Sequence, residues 1–300
     1  MEAYSMWLVE YGSCDTQPVS SIIYGKHNAG IMTLPFSYLV LKGNGHTIAV
    51  DTGYYDDGYG HELSVKFGVN KIRGIDKTLA DIGFRGEEFD TVILSHAHYD
   101  HAGGLRTFPN AHVYLQKKEW LDWLEVLALP KPFSGLAAAI DPNDIKRLLD
   151  YCAKGQLTLV DGEALNILPG ISLYPVFDSH TYGSQLVTIE RSGPRDSDPG
   201  DHDPGDPGDR WIFTGDVCYS LENFGPAGSG GPYSPVGFGV GSITQMVRSL
   251  VKIQELAEGK TDRLIICHDP AMWTTFKSKT TAAGFRIAEI QLSPGEKSRL

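Results

Sequence analysis

Four apolar segments of this chain each lead directly into a histidine or an aspartate, and this feature most constrains the fold. The residues reached are Asp51, His96, Asp216 and His268. The segment at residues 91–94 is short, apolar and bounded by polar residues, which indicates a strand buried on both faces. Side chains at strand ends along one sheet edge can converge on a single site. The sequence therefore predicts an α/β fold with a functional site at such an edge.

The segment at residues 95–101 carries the pattern H-x-H-x-D-H. Imidazole and carboxylate groups are the ligands that zinc, iron and manganese prefer. His96 and His98, two residues apart, can reach one ion from the same side of an extended loop. Asp100 and His101 enter the following turn and point to a second ion. The pattern therefore predicts two metal ions, and His180, Asp216 and His268 can supply further ligands from later segments.

Hydrophobic patterns predict several elements around this segment. Residues 36–41 and 46–50 form a hairpin around the turn at 42–45, because β-rich runs flank a Gly-rich turn. Further elements are helices at 74–84, 143–153 and 242–257 and strands at 171–177, 185–190, 211–216 and 263–267.

A helix is predicted at residues 117–128 from an apolar stripe with i, i+3, i+4, i+7 spacing. The stripe consists of Trp120, Trp123, Leu124 and Leu127. Packing on the core is the favoured interpretation, and a cap over a pocket or a face for a homodimer is the alternative.

Residues 192–210 are rich in proline, glycine and aspartate and contain almost nothing apolar. Such a tract cannot bury a core, so we expect a disordered insertion between two strands. The aspartates could suggest calcium, but the spacing of a calcium-binding loop is absent.

The four cysteines are scattered singly, which predicts free, mostly buried thiols rather than disulfides or a zinc knuckle. Cys218 and Cys267 lie beside candidate ligands. Alternation along a strand is expected to turn both thiols away from the site.

The net charge of -11 argues against a nucleic-acid-binding protein, since such proteins usually carry a basic face. The sequence contains no apolar run long enough to span a membrane. Its first residues lack the basic start and apolar stretch of a secretory signal. The expected partner is a small-molecule substrate, and the expected location is the cytoplasm.

The motifs resemble those of the metallo-β-lactamase superfamily, in particular the N-acyl homoserine lactonase and 4-pyridoxolactonase group. Residues 51–53 match the family's D-T-G, and residues 96–104 match H-x-H-x-D-H-x-G-G. The later histidine, aspartate and histidine follow in the same order. The resemblance covers nearly the whole chain and implies one domain over residues 1–300, folded as an αββα sandwich with a dinuclear metal site.

The same resemblance implies a role for each candidate residue. Asp216 would bridge the two ions, and Asp51 would orient a ligand imidazole. The first ion would be bound by His96, His98 and His180, and the second by Asp100, His101 and His268.

Two details favour the lactonase group within the family. Tyr219 follows Asp216 by three residues, as in that group, and His268 is followed by an aspartate. Two features depart from the family pattern. The usual T-P-G-H before the third histidine is replaced by residues 177–180, F-D-S-H, and the insertion at 192–210 is unusual.

The resemblance implies a hydrolase that opens a small cyclic ester, a lactone, through a hydroxide bridging two divalent ions, zinc first and manganese or iron as alternatives. Tyr219 would stabilise the oxyanion, and Asp100 would pass a proton to the leaving oxygen. The alternatives are a thioesterase, amidase, phosphoesterase or hydrolytic dehalogenase on the same scaffold, or a binding module without turnover. The complete ligand set argues against the binding module. The diiron reductases of this fold replace a motif histidine with glutamate, whereas His98 is retained here.

Overall fold

A computed structural model describes residues 3–190, 210–225 and 231–300. The predicted insertion at 192–210 lies outside these residues except for Arg210, which begins a strand. No helix in the described part of the chain has the length and apolar character of a membrane-spanning segment.

Fourteen strands and eight α-helices are assigned in the described ranges. The strands are β1 Ser5–Pro18, β2 Ile31–Gly43, β3 His46–Val50, β4 Lys71–Ile72, β5 Thr91–Ile93, β6 His112–Gln116, β7 Leu157–Val160, β8 Ala164–Leu168, β9 Ile171–Pro175, β10 Gln185–Glu190, β11 Arg210–Phe213, β12 Leu264–Ile265, β13 Lys277–Thr280 and β14 Arg286–Gln291. The helices are α1 Val19–Ile22, α2 Gly58–Phe67, α3 Ile75–Asp81, α4 Tyr99–Ala102, α5 Lys117–Leu127, α6 Pro142–Ala153, α7 Ile243–Leu256 and α8 Met272–Thr275.

The strands form two sheets of mixed direction. The larger sheet has the order β13-β14-β1-β2-β3-β5-β6-β7, with β4 antiparallel beside β1. Its strands β3, β5, β6 and β7 run parallel to one another. The smaller sheet has the order β12-β11-β10-β9-β8 and is antiparallel except for the pair β11 and β12. Each sheet therefore contains a parallel pair whose carboxyl ends point the same way.

Alternate residues of β1 enter two different cores. Met6 and Leu8 pack with the apolar residues of the smaller sheet, whereas Trp7 and Val9 pack with the helices on the opposite face. The larger sheet is thus covered on one side by helices and on the other by the second sheet, with which α7 also packs. This layering confirms the predicted αββα sandwich.

The four apolar segments singled out in the sequence end at residues of the candidate site, as predicted. Asp51 and His96 follow the parallel strands β3 and β5, while Asp216 and His268 follow the parallel strands β11 and β12. The expectation placed them along the edge of one sheet. The structure instead brings together edges of both sheets, because the two sheets stack face to face and their parallel pairs end on the same side.

Most predicted elements lie where the patterns place them, and the hairpin shows why. Asn44 and Gly45 have positive φ angles of 50° and 82°, respectively, which the tight turn between β2 and β3 requires.

In α5, Trp120 and Trp123 are buried as the core-packing interpretation predicts. Leu124 is 44% exposed, so the predicted apolar stripe is wrong at that position.

The first turn of α6 contains a buried carboxyl group with an unusual pKa. Asp144 is 4% exposed, and its Oδ2 atom has no hydrogen-bond partner within the described part of the chain. Burial, reinforced by the neighbouring Asp141, raises the pKa of Asp144 to about 8. The folded chain therefore holds this group protonated at a pH where the unfolded chain releases the proton.

We expect Asp144→Asn to stabilise the protein at pH 7 and to have little effect at pH 4. Between pH 4 and about 8 the folded state of the wild type binds more protons than the unfolded state, so stability falls as the pH rises. The neutral amide removes that dependence, with a gain of up to about 4 kcal/mol at pH 7, because about three pH units separate pH 7 from the usual pKa of the carboxyl. Melting temperatures at the two pH values measure it, and an equal shift at both would contradict the assignment.

Candidate metal centre

The motif loop between β5 and α4 is fixed by the loop that follows β3. The backbone N–H of Asp51 donates to the carbonyl of Ile93 at 2.8 Å, and the N–H of Thr52 donates to the carbonyl of His101 at 2.8 Å. A Cβ at Gly104 would lie 2.0 Å from the carbonyl oxygen of Thr52. This close approach explains why glycine is needed there.

The structure brings together all seven residues predicted to bind metal. They form two groups that share one carboxylate, and within each group the ligand atoms lie within 4.8 Å of one another. The first group is His96, His98, His180 and Asp216, and the second group is Asp100, His101, Asp216 and His268.

Asp216 stands between the two groups and turns one oxygen toward each. Its Oδ2 lies 3.3 Å from His180 Nε2 and 3.8 Å from His96 Nε2. Its Oδ1 lies 3.0 Å from His101 Nε2 and 3.1 Å from His268 Nε2. One carboxylate therefore faces both groups of candidate ligands, with one oxygen toward each.

Hydrogen bonds to the outer nitrogens orient three of the imidazole rings. His101 Nδ1 lies 2.7 Å from Asp51 Oδ2, and His268 Nδ1 lies 2.7 Å from the carbonyl oxygen of Pro35. His180 Nδ1 lies 3.2 Å from the carbonyl oxygen of Phe238. An N–H on each Nδ1 leaves the lone pair of Nε2 facing the centre, which is the tautomer that a metal ligand needs.

Asp51 contacts Ser95 as well as the ring of His101. Its carboxylate accepts hydrogen bonds from the backbone N–H and the hydroxyl of Ser95, each at 2.7 Å. The Ser95 hydroxyl also lies 3.0 Å from His96 Nδ1. Asp51 itself has a φ angle of 62°, a left-handed conformation that is uncommon outside glycine and is maintained by these contacts.

The inward-facing nitrogens fit a metal ion better than they fit one another. Within the described residues, Nε2 of His96, His101 and His268 is buried and makes no hydrogen bond of normal geometry, although the nitrogens of His101 and His268 face Asp216 Oδ1. Buried nitrogens without partners are rare, since each one carries a desolvation penalty. Two divalent cations between these nitrogens and the carboxylates would satisfy all of them.

The candidate ligand histidines fall into two sets, one with lowered and one with raised pKa values. Burial is the main cause that lowers the pKa of His98 to about 3 and places the pKa values of His96 and His180 below their usual range. These three rings are therefore neutral at pH 7, as metal ligands must be.

The second set lies against the carboxylates. Burial alone would lower the pKa of His101, but Asp216, Asp100 and Asp51 raise it well above its usual value. Burial likewise opposes protonation of His268, whereas Cys267 and Asp216 raise its pKa. The carboxylates of the second group thus favour positive charge at this position, and a divalent cation would supply it in place of the protons on the two rings.

Tyr219 lies at the edge of the centre. Its hydroxyl donates a hydrogen bond to Asp216 Oδ2 at 2.6 Å, and its ring packs against the ring of His268 with centroids 4.9 Å apart. Burial and the nearby Asp216 raise the pKa of Tyr219 well above 10, so the phenol remains protonated. It is therefore a hydrogen-bond donor at the site and not a base.

One of the two expectations about cysteines is wrong. Cys218 does turn away, since its thiol contacts the carbonyl of Ser220. The thiol of Cys267 instead lies 3.6 Å from Asp216 Oδ1. Strand alternation does not apply there, because β12 ends at Ile265 and the chain leaves the strand before it reaches Cys267.

A cleft with mainly apolar walls opens onto the centre. Its floor includes Asp100, Asp216 and Tyr219. The remaining lining residues are Gln17, Leu34, Phe36, Phe67, His98, Tyr99, Ala139, Phe238 and His268. A ligand in this cleft would place a polar group at the centre and apolar groups against the walls.

Sequence patterns missed two residues that support the centre, Ser95 and Glu119. Ser95 follows the apolar segment at residues 91–94, and nothing in its sequence context distinguishes it from an ordinary polar residue at a strand end. Glu119 lies in the charged run at the start of α5, which is typical of a solvated helix end, yet it is completely buried. No local signal distinguishes it from an exposed glutamate.

The fold and the paired metal-ligand groups define a class of metal-dependent hydrolases. Residues 33–268 match the family model described as "Metallo-beta-lactamase superfamily", and the chain belongs to this family. The match spans the predicted D-T-G and H-x-H-x-D-H-x-G-G motifs and extends to His268. The family and the enzyme class predicted from the sequence, a metal-dependent hydrolase, are thereby confirmed.

The chain is similar in sequence to curated lactonases. The N-acyl homoserine lactonase AttM of Rhizobium johnstonii is 27% identical over 254 residues, which cover 81% of this chain and 84% of that protein. AttM of Azorhizobium caulinodans is 26% identical over 290 residues, which cover 91% of this chain and 95% of that protein.

Solved structures of the same fold include a quorum-quenching N-acyl homoserine lactone lactonase. It has a TM-score of 0.65 at 20% identity, and the match covers 92% of this chain and 97% of that chain. AidC, described as a dizinc quorum-quenching lactonase, has a TM-score of 0.62 at 19% identity, with 95% and 94% covered. Both solved structures therefore share the fold of this chain.

Proposed function

We propose that the protein is a dinuclear metal-dependent lactonase that opens the ring of N-acyl homoserine lactones or closely similar lactones. The observation that carries the proposal is Asp216, which presents one oxygen to each histidine group and accepts the hydrogen bond of Tyr219. The names of the curated relatives support the substrate class.

The first ion would be bound by His96, His98 and His180 and the second by Asp100, His101 and His268, with Asp216 common to both. Zinc is the proposed metal, with manganese and iron as alternatives, and the dizinc relative supports that choice. Bound divalent cations would make water a nucleophile at neutral pH and polarise the lactone carbonyl.

The chain's own residues would handle the charge and the protons. The protonated hydroxyl of Tyr219 can move from Asp216 to the carbonyl oxygen of the substrate, where negative charge develops. Burial alone would raise the pKa of Asp100, but the neighbouring His101 keeps it below its usual value. Asp100 is therefore an ionised carboxylate, able to accept a proton and transfer it to the leaving oxygen.

The cleft walls fit the remainder of such a substrate. Phe36, Phe67 and Phe238 line the cleft beside the centre, and an acyl chain placed against them would be removed from water. Burial of apolar surface near the reacting ester would also exclude bulk water from the centre.

A hydrolysis screen on metal-reconstituted protein tests the proposal. We expect about two equivalents of zinc per chain by elemental analysis, because seven ligand side chains are too many for one tetrahedral ion. N-acyl homoserine lactones should be hydrolysed in preference to thioesters and phosphodiesters. One equivalent of metal at saturation would refute the dinuclear centre, and preferred hydrolysis of a thioester or phosphodiester would refute the lactonase proposal.

A further inference from the structure

Glu119, in the first turn of α5, is a buried carboxylate that lies outside both metal-ligand groups. It is completely buried, and it accepts hydrogen bonds from two loops and from the next turn of its own helix. Its position is unusual because a buried carboxylate without a cation beside it needs several hydrogen-bond donors.

The first oxygen of Glu119 holds the loop of His96 and His98. Oε1 accepts a hydrogen bond from the backbone N–H of Ala97, which lies between those two histidines, at 2.8 Å. The same oxygen accepts the indole N–H of Trp123 at 2.7 Å. The Trp123 ring in turn packs beside His98, with ring centroids 5.9 Å apart.

The second oxygen holds the loop of His180. Oε2 accepts hydrogen bonds from the hydroxyl of Thr181 at 2.8 Å and from the backbone N–H of Gly183 at 2.6 Å. This loop contacts α5 so closely that a Cβ at Gly183 would lie 2.3 Å from the backbone nitrogen of Glu119.

The two loops joined by Glu119 carry all three histidines of the first group. His98 Nδ1 and His180 Nε2 lie 3.0 Å apart, although the two residues are distant in sequence. Three of the four donors on Glu119 are N–H groups, which cannot accept a hydrogen bond, so an ionised carboxylate satisfies the set and an amide does not.

We propose that Glu119 is a positioning residue that aligns His98 and His180 for binding of the first metal ion. The inference rests on the proposed dinuclear centre and adds a residue that acts on one of its two groups. Residues that hold metal ligands in place typically contribute 10- to 100-fold to metal affinity.

Glu119→Gln is the direct test. The amide has nearly the same size as the carboxylate, but its single oxygen can accept only the two hydrogen bonds now made to one carboxylate oxygen. Its NH₂ group then faces the two donors at the other position and cannot accept from them. We expect about a 10- to 100-fold weaker retention of one zinc ion in competition with a chelator, and little change for the other ion. Both dissociation constants are measured, together with the melting temperature of the metal-free protein.

Glu10→Gln is the matched control. Glu10 is also buried, and it accepts hydrogen bonds from the backbone and side chain of Arg286. This partner lies in β14 and not in the loops that carry the candidate metal ligands. Both variants should lower the melting temperature of the metal-free protein, but only Glu119→Gln should weaken zinc binding. Equal loss of zinc affinity in the two variants would show general destabilisation and would overturn the proposal.

A combined variant identifies the affected group. In a His98→Ala background, where the first group is already incomplete, adding Glu119→Gln should not weaken the remaining ion further. A further loss there would contradict an effect confined to the first group. If Glu119→Gln does not fold, Thr181→Val removes one of the four hydrogen bonds to Glu119, together with the contact of the same hydroxyl with Ser184, and should weaken the binding of one ion roughly two- to tenfold.

The outcomes separate this inference from the proposed function. If the wild-type protein does not retain two ions, the dinuclear centre itself is refuted. If the wild type retains two ions and Glu119→Gln retains both with unchanged affinity, the centre stands and the role of Glu119 is refuted.

Discussion

Asp216→Asn is expected to reduce the bound metal from two ions to at most one and to lower turnover roughly 1,000-fold or more. The amide retains one oxygen, but its NH₂ group offers no lone pair to the second cation. Loss of a residue that only orients a ligand already reduces metal affinity 10- to 100-fold, so loss of a ligand shared by both ions should have a larger effect. Elemental analysis and lactone turnover on the same samples measure the two effects.

Asp141→Asn is a suitable control for that variant. Asp141 is also buried, but its side chain caps the first turn of α6 through the N–H of Asn143, a role that asparagine can take over. Its metal content and turnover should match those of the wild type. Two ions and near-normal turnover in Asp216→Asn would exclude the bridging role.

Tyr219→Phe is expected to lower turnover roughly 10- to 1,000-fold while leaving two metal ions bound. The variant removes a hydroxyl that donates to Asp216 and could donate to the substrate oxygen as charge develops. Full activity would identify Tyr219 as a packing residue. Loss of metal together with activity would show that its main role is to hold Asp216.

Asp100→Asn provides the contrast within the same experiment. Asp100 lies in the second group and is proposed as both ligand and proton carrier, so turnover and occupancy of one metal should fall together. Tyr99→Phe, which removes a hydroxyl from the wall of the same cleft, should alter turnover by less than Tyr219→Phe. A larger effect of Tyr99→Phe would contradict the role given to Tyr219.

Several parts of the fold and the candidate site could be predicted because their signals are local. The motif at residues 95–101 places four candidate ligands within six residues, and Asn44-Gly45 specifies the turn between β2 and β3. Abrupt transitions from apolar runs to Asp51, Asp216 or His268 mark the ends of strands. In each case a few neighbouring residues determine the conformation.

Other parts depend on contacts between distant segments, which a local pattern does not contain. β1 is buried on both faces and therefore shows no simple alternation, and β14, which pairs with it, lies at the other end of the chain. The role of Glu119 arises only when the loops near Ala97 and Thr181 meet on α5. The thiol of Cys267 faces Asp216 because the strand before it is shorter than its sequence suggests.

Because the candidate metal ligands come from both sheets, bound metal would contribute to the stability of the folded chain. His96 follows a strand of one sheet and His268 a strand of the other, so an unfolded chain cannot present them together. The free energy of metal binding is then part of the free energy of folding, worth about 2.7 kcal/mol when free metal exceeds its Kd 100-fold. The stability of the folded chain would therefore fall together with its activity when free metal becomes scarce.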